Sequence, residues 1–170
     1  MNKNHNFNKR KLDKGYYFLW TTSVFQSQYE GDNEEYISTF YNSNLVTNLL
    51  LGKEWSVSNS LSLQLNGRFT YNGGRKYTPI DLDASIASGE EVLIENQPFS
   101  KRLTPYIRPD LKLGMIYNQG NRLTHSFSID FQNFINRDNE LTVRYDEEDR
   151  WIDIVNQRGF FPDVRYQLLF

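Results

Sequence analysis

Phe160-Phe161-Pro162-Asp163-Val164-Arg165-Tyr166-Gln167-Leu168-Leu169-Phe170 is the stretch on which the reading of this chain turns. In an extended strand successive side chains alternate between two faces. Phe160, Pro162, Val164, Tyr166, Leu168 and Phe170 then share one face. Asp163, Arg165 and Gln167 share the other, with Phe161 and Leu169 as apolar exceptions near the ends. A strand that alternates this cleanly and finishes on an aromatic is expected of the closing strand of a transmembrane β-barrel.

The rest of the composition fits that expectation. Hydrophobic residues make up 38% of the 170 residues, and mean hydropathy is -0.67. Aromatics nevertheless reach 15%, with 11 Tyr and 12 Phe. Few apolar residues with many aromatics suit a barrel wall, where every second residue faces lipid and aromatic girdles sit at both interfaces. Net charge is -2, with no clustered basic face of the kind a nucleic-acid partner requires. Lys9-Arg10-Lys11 is short and is read as a solvated segment. Cysteine is absent, which removes disulfides, zinc–thiolate sites and thiol nucleophiles. No run of about 18 apolar residues encodes a transmembrane helix. Met1–Asn6 lacks the apolar core of a secretory signal, so either the membrane expectation fails or the chain is the tail of a longer one.

Six segments alternate with period two, at about 15–29, 44–55, 61–72, 106–118, 124–134 and 160–170. Residues 1–14 are read as a polar segment outside them. The third is the cleanest: Leu61, Leu63, Leu65, Phe69 and Tyr71 alternate with Ser62, Gln64, Asn66, Arg68 and Thr70. Pro109 weakens the start of the fourth. Short turns near Ser56–Ser60 and Gln119–Arg122 alternate with long connections near 30–43, 73–104 and 137–159. An up-and-down barrel sorts its loops this way, with short turns in the periplasm and long loops outside. That orientation predicts a periplasmic aromatic girdle of Tyr16, Trp55, Tyr117 and Phe170, with Tyr71 and Phe160 nearer the outer interface. Six strands leave two open edges, and spanning sheets must close because unpaired backbone groups in lipid cost several kcal/mol each.

Several stretches carry a family resemblance. They are Asp13-Lys14-Gly15-Tyr16-Tyr17-Phe18 with Ser27-Gln28-Tyr29, Thr39-Phe40-Tyr41-Asn42 and Val46-Thr47-Asn48-Leu49-Leu50-Leu51-Gly52-Lys53-Glu54. Tyr77-Thr78-Pro79-Ile80-Asp81-Leu82, Tyr106-Ile107-Arg108-Pro109-Asp110-Leu111-Lys112, Ser128-Ile129-Asp130-Phe131-Gln132-Asn133 and the terminal strand follow. In this order and spacing the chain resembles the C-terminal end of TonB-dependent outer-membrane receptors, in the branch that carries an N-terminal carboxypeptidase-regulatory-like domain. The resemblance implies about the last six strands of a plugged barrel of about 22 strands. It implies import of a scarce solute (siderophore, cobalamin, glycan or peptide) and partnership with outer-membrane lipid. It also implies that the TonB complex is reached only through an N-terminal plug, which this stretch lacks, so the stretch alone is not expected to transport. Val164, Tyr166, Leu168 and Phe170 resemble the signal read by the barrel-assembly machinery.

Catalytic and metal chemistry find little footing. Asp146-Glu147-Glu148-Asp149 lacks the ligand spacing of a calcium loop and is read as a solvated loop. The 73–104 connection, with Asp81, Asp83, Glu90, Glu91 and Glu95, is a candidate ligand contact. Gly73-Gly74-Arg75-Lys76 lacks the spacing of a phosphate loop and is read as a hinge. His5 and His125 have no partner spacing; His125 is read as an interfacial side chain. Arg68, Arg108, Asp110, Lys112, Asp130, Asp163 and Arg165 share the polar register and are expected to form a lumen-facing wall, either a solute or plug contact or a set of cross-strand ion pairs. The expectation is therefore an all-β, antiparallel, up-and-down transmembrane barrel segment in the outer membrane, not an enzyme, without a cofactor. Two alternatives stay open: a soluble all-β ligand-binding module, and an oligomeric barrel to which several copies donate strands. The first predicts that Leu63, Leu65, Leu111, Leu113, Ile129 and Phe131 close into a dry core.

Overall fold

The computed structural model describes residues 4–12, 15–31, 34–120 and 123–170, the first of these through its backbone pairing alone. Asp13-Lys14 and the Asn121-Arg122 half of the second turn lie outside the described residues, as do the side chains of His5, Lys9, Arg10 and Lys11.

The chain is all-β and antiparallel with one short helix. In order it forms β1 (Asn4–Leu12), β2 (Tyr16–Val24), β3 (Gln28–Glu30), β4 (Tyr36–Ser38), β5 (Leu45–Ser56), β6 (Leu61–Asn72) and β7 (Lys76–Tyr77). Then come α1 (Leu82–Ser88), β8 (Lys101–Arg102), β9 (Tyr106–Gln119), β10 (Leu123–Gln132), β11 (Glu140–Asp146), β12 (Trp151–Asn156) and β13 (Phe161–Leu169). Seven strands make the main sheet, in the order β1-β2-β5-β6-β9-β10-β13. Each is paired with its nearest principal neighbour along the chain, so the sheet is an up-and-down meander open at both edges.

The six expected segments all appear. The first is shorter than expected, because residues 28–30 leave the sheet to pair with β4 in a side hairpin. The polar N-terminal segment is not outside the sheet: Asn4–Leu12 pairs along its length with β2 as a seventh strand. Its sequence, Asn-His-Asn-Phe-Asn-Lys-Arg-Lys-Leu, has no apolar alternation to announce it.

The register fixes two faces from β2 onward. Rows such as Trp20–Leu49–Phe69–Pro109 and Leu65–Leu113–Ile129–Val164 run across one face. In these strands the only Asp, Glu, Lys or Arg on that face is Lys53. Glu54, Arg68, Arg108, Asp110, Lys112, Asp130, Asp163 and Arg165 all stand on the other. Nothing in the described residues covers the apolar face: Leu113 is 45% exposed, and Trp20, Leu51, Leu63, Leu65, Phe69 and Val164 are exposed as well. Leu111, Ile129 and Phe131 are half-buried. The dry core that a soluble module predicts is not formed by these side chains. Polar groups on this face are satisfied locally. Trp20 Nε1 donates to Thr47 Oγ1 at 2.9 Å, and Thr47 Oγ1 donates to the Thr21 carbonyl at 3.1 Å.

Pro109 sits inside β9 without breaking it, for a geometric reason. In a strand a residue's N–H and C=O point to the same side. The Pro109 carbonyl accepts the Phe134 N–H at 3.0 Å. The missing N–H therefore also points toward β10, where the regular pairing has already ended at Leu111–Phe131, and the β6–β9 ladder loses nothing.

The three long connections fold into a layer at one end of the sheet. They hold all three buried apolar side chains among the described residues, Ile80, Leu103 and Tyr145. Asp81 caps α1 by accepting the Ala84 N–H at 3.0 Å, and Gly89 ends it at φ 77°. Fully buried Ser85 donates to the Asp81 carbonyl at 2.6 Å and accepts the Val92 N–H at 2.9 Å. Gly74 is a point of close approach in the Gly73-Gly74-Arg75-Lys76 stretch. At φ +90°, a Cβ there would lie 2.2 Å from the Leu103 carbonyl oxygen, so only glycine lets the two feet of the second connection meet.

Candidate functional site

The polar face of the sheet gathers its charges around one carboxylate. Arg68 of β6 and Asp110 of β9 are directly opposite in register. Asp110 is 5% exposed. Its Oδ2 accepts Arg68 Nε at 2.7 Å and also Arg68 Nη2. Its Oδ1 accepts Arg108 Nε at 2.8 Å and the Asn133 N–H at 2.8 Å. A carboxylate offers about four lone-pair sites, and all four are used here. Asp110 has no acceptor capacity left for a ligand, and it works as a tie. It joins β6, β9 and the turn after β10. Arg108 extends the tie by donating to Gln132 Oε1 at 2.6 Å.

The turn was not legible as part of this site. Asn133 takes φ 48°, buries its side chain, and clasps Arg137 by accepting its N–H at 3.1 Å and donating to its carbonyl at 2.9 Å. The only signal in the sequence is an Asn at the end of an alternating strand, a residue that tolerates the left-handed region.

A groove of about 200 Å³ lies beside the tie, lined by Tyr17, Asn66, Arg68, Asp110, Lys112 and Asp130 among others. Tyr17 lies across Gly52, whose added Cβ would fall 2.1 Å from the ring, and its hydroxyl donates to Asn66 Oδ1 at 2.6 Å. Lys112 and Asp130 are opposite in register. They form no ion pair, and neither has a side-chain hydrogen bond among the described residues. The expected polar wall is therefore mixed. Arg68, Arg108 and Asp110 form one bonded cluster. Lys112 and Asp130 present open charges to the groove. Arg165 stands apart, exposed on edge strand β13 opposite Ser128, and Asp163 faces Asp130 across the same pair of strands.

On the other face, Val164, Tyr166 and Leu168 share the apolar register of β13 and are exposed; Phe170 follows the strand, fully exposed. Tyr16, Trp55 and Tyr117 fall on the same face at the turn end, as expected of a girdle. The Lys53 ammonium lies 3.4 Å above the Tyr16 ring. His125 joins this row, with Nδ1 2.8 Å from the Tyr166 hydroxyl. At the loop end Phe160 stacks on Phe131 at 6.2 Å.

Two acidic side chains of the loops, Asp146 and Glu91, hold backbone N–H groups. Asp146 Oδ1 accepts the Glu148 and Asp149 N–H groups at 3.0 and 3.2 Å, which shapes the β11–β12 turn. Glu91 accepts the Tyr145 N–H at 2.9 Å and joins the second and third connections. No group of three or more His, Asp or Glu side chains converges among the described residues. No family model, curated protein or solved structure matches the chain.

Proposed function

We propose that this chain forms part of the wall of an outer-membrane barrel of the TonB-dependent receptor type, one that takes up a scarce solute, with lipid on its apolar face and water or a plug on its polar one. One observation carries the reading: within a seven-stranded meander, the six strands from β2 to β13 share a continuous apolar face that no described residue covers and that holds a single charge, Lys53, at one end. In water such a face is far larger than the apolar patches soluble monomers expose. In a bilayer it is the ordinary outer surface of a barrel. The strands fit that role: β5, β6, β9 and β10 have 12, 12, 14 and 10 residues, against about 9–11 for a tilted span. The side chains serve as wall and do no bond chemistry.

Strand parity bears on what closes the barrel. With seven strands, β1 and β13 run in the same direction. A ring of identical copies would then place parallel strands at every seam. Closure with antiparallel seams needs an odd number of further strands, and bacterial barrels have even totals. This favours a single large barrel over a ring of copies. The barrel-assembly machinery would read Val164, Tyr166, Leu168 and Phe170. The TonB complex would act through a plug and not through these strands.

The three tryptophans supply the test. Trp20 and Trp55 lie on the apolar face, and Trp151 lies in the loop layer. After insertion into vesicles of brominated-chain phospholipid, a Trp151→Phe variant should be strongly quenched, and a variant keeping only Trp151 should not. Equal quenching of the two, or none in either, would refute the membrane wall.

A further inference from the structure

Where the loop layer meets the polar face, a second cavity of about 270 Å³ opens. Asn72 and Tyr106 of β6 and β9 line it from the sheet, Arg75 from the foot of the second connection, and Glu140 and Gln157 from the base of the β11–β12 hairpin. These groups have bonding capacity to spare. Asn72 Oδ1 accepts the Gly74 N–H at 3.1 Å, which leaves its NH₂ group free. Glu140 uses Oε2 to accept the Thr104 N–H at 2.6 Å, which leaves Oε1 without a partner. The Arg75 guanidinium lies 5.3 Å from the Phe40 ring, with no carboxylate in ion-pair range among the described residues. The Gln157 side chain bonds to nothing described.

One cavity thus holds a cation and an anion that do not neutralise each other, together with two uncommitted amides. We propose that it binds a zwitterionic solute, a free amino acid or short peptide with unblocked ends. Arg75 takes the carboxylate, Glu140 takes the ammonium, and Asn72 and Gln157 meet the peptide groups. A guanidinium matches a carboxylate with two parallel hydrogen bonds. A neutral polyol would leave both charges without a counter-charge. An anionic chelate would be repelled by Glu140. The inference rests on the receptor reading for the solute's route, but the cavity itself is built from this chain alone.

The probe is trialanine, compared with N-acetyl-trialanine and trialanine amide, by titration calorimetry on the full chain in lipid vesicles. Blocking either end should weaken binding severalfold, because half-buried Glu140 or exposed Arg75 then loses its counter-charge. Glu140→Gln keeps an acceptor for the Thr104 N–H; it should abolish the preference for the free amine and retain that for the free carboxylate. Arg75→Gln should do the converse. Blocked and free peptides binding alike would overturn the assignment. So would absence of peptide binding by protein whose Trp20 and Trp55 are quenched by brominated lipid. Peptide discrimination without that quenching would overturn the membrane wall and leave the site standing; absence of both would overturn both.

Discussion

In the sheet, Leu63, Leu113 and Val164 stand on a face with nothing packed against it, while Asp110 is the most enclosed charge of the opposite face. In the loop layer the order is reversed. Ile80, Leu103 and Tyr145 are buried, and Glu147, Glu148 and Asp149 are exposed. The loop layer encloses a small apolar core under exposed charge, as a region in water does, although Tyr36, Ile135, Trp151 and Ile154 stay exposed there. The sheet sets charge on one face and exposed apolar side chains on the other, the division that the proposed barrel wall requires. One chain therefore carries two regions with opposite placement of apolar and charged side chains, and the boundary falls near residues 25, 44, 73, 105, 133 and 160, where the long connections leave and rejoin the strands.

Substitutions can break that contrast. The largest effect is expected from Leu113→Arg at mid-strand on the apolar face. It should cost about 2–4 kcal/mol at the bilayer midplane and remove the lipid-inserted, heat-modifiable species on unboiled gels. Gln64→Arg on the polar face should leave that species intact. Equal tolerance of both would erase the distinction between the faces. Next comes Asp110→Ala, which strips the counter-charge from Arg68 and Arg108 and the acceptor from the Asn133 N–H. Arg68 is 49% exposed, so water offsets part of the loss, and about 1–3 kcal/mol is expected. It should be read as a lower urea midpoint with earlier proteolysis between residues 133 and 160. Ser85→Ala leaves the Val92 N–H without its acceptor and should cost about 1–2 kcal/mol. It should speed limited proteolysis of the 73–104 connection without altering insertion; a joint loss of both would mean that the two regions fold as one. Lys112→Ala, with no partner to lose, should stay within about 0.5 kcal/mol, measured by the same urea titration.

What the sequence disclosed follows the same division. Period-two alternation located β5, β6, β9, β10 and β13 to within a residue or two at most ends, and it put Arg68, Arg108, Asp110, Lys112 and Asp130 on one face, because a one-residue slip would invert every side chain. Alternation says nothing where a strand has no apolar face, so Asn4–Leu12 went unread. It also cannot tell which like-facing charges will bond. Asp110 is saturated because Arg68 and Arg108 stand on the strands and positions next to it and Asn133 turns back onto it. Lys112 and Asp130, equally well placed in register, remain apart. The loop layer was hidden for another reason. Its order comes from single side-chain to backbone hydrogen bonds, as at Asp81, Ser85 and Asn139, where Asn139 accepts the Ile107 N–H at 2.9 Å and donates to the Ile107 carbonyl at 3.0 Å. Such bonds leave no periodic trace.

Pro109 has a consequence for assembly. The β9–β10 hairpin can zip from its tight turn toward the loops, and a meander is prone to over-zip or to slip by two residues without changing faces. The next rung would ask Pro109 for an N–H to give to the Asn133 carbonyl. It has none, and that carbonyl instead accepts the Asn136 N–H at 2.8 Å. The imino ring thus acts as an end-stop. It sets how far the β9–β10 hairpin closes, and so the residue at which the third long connection begins.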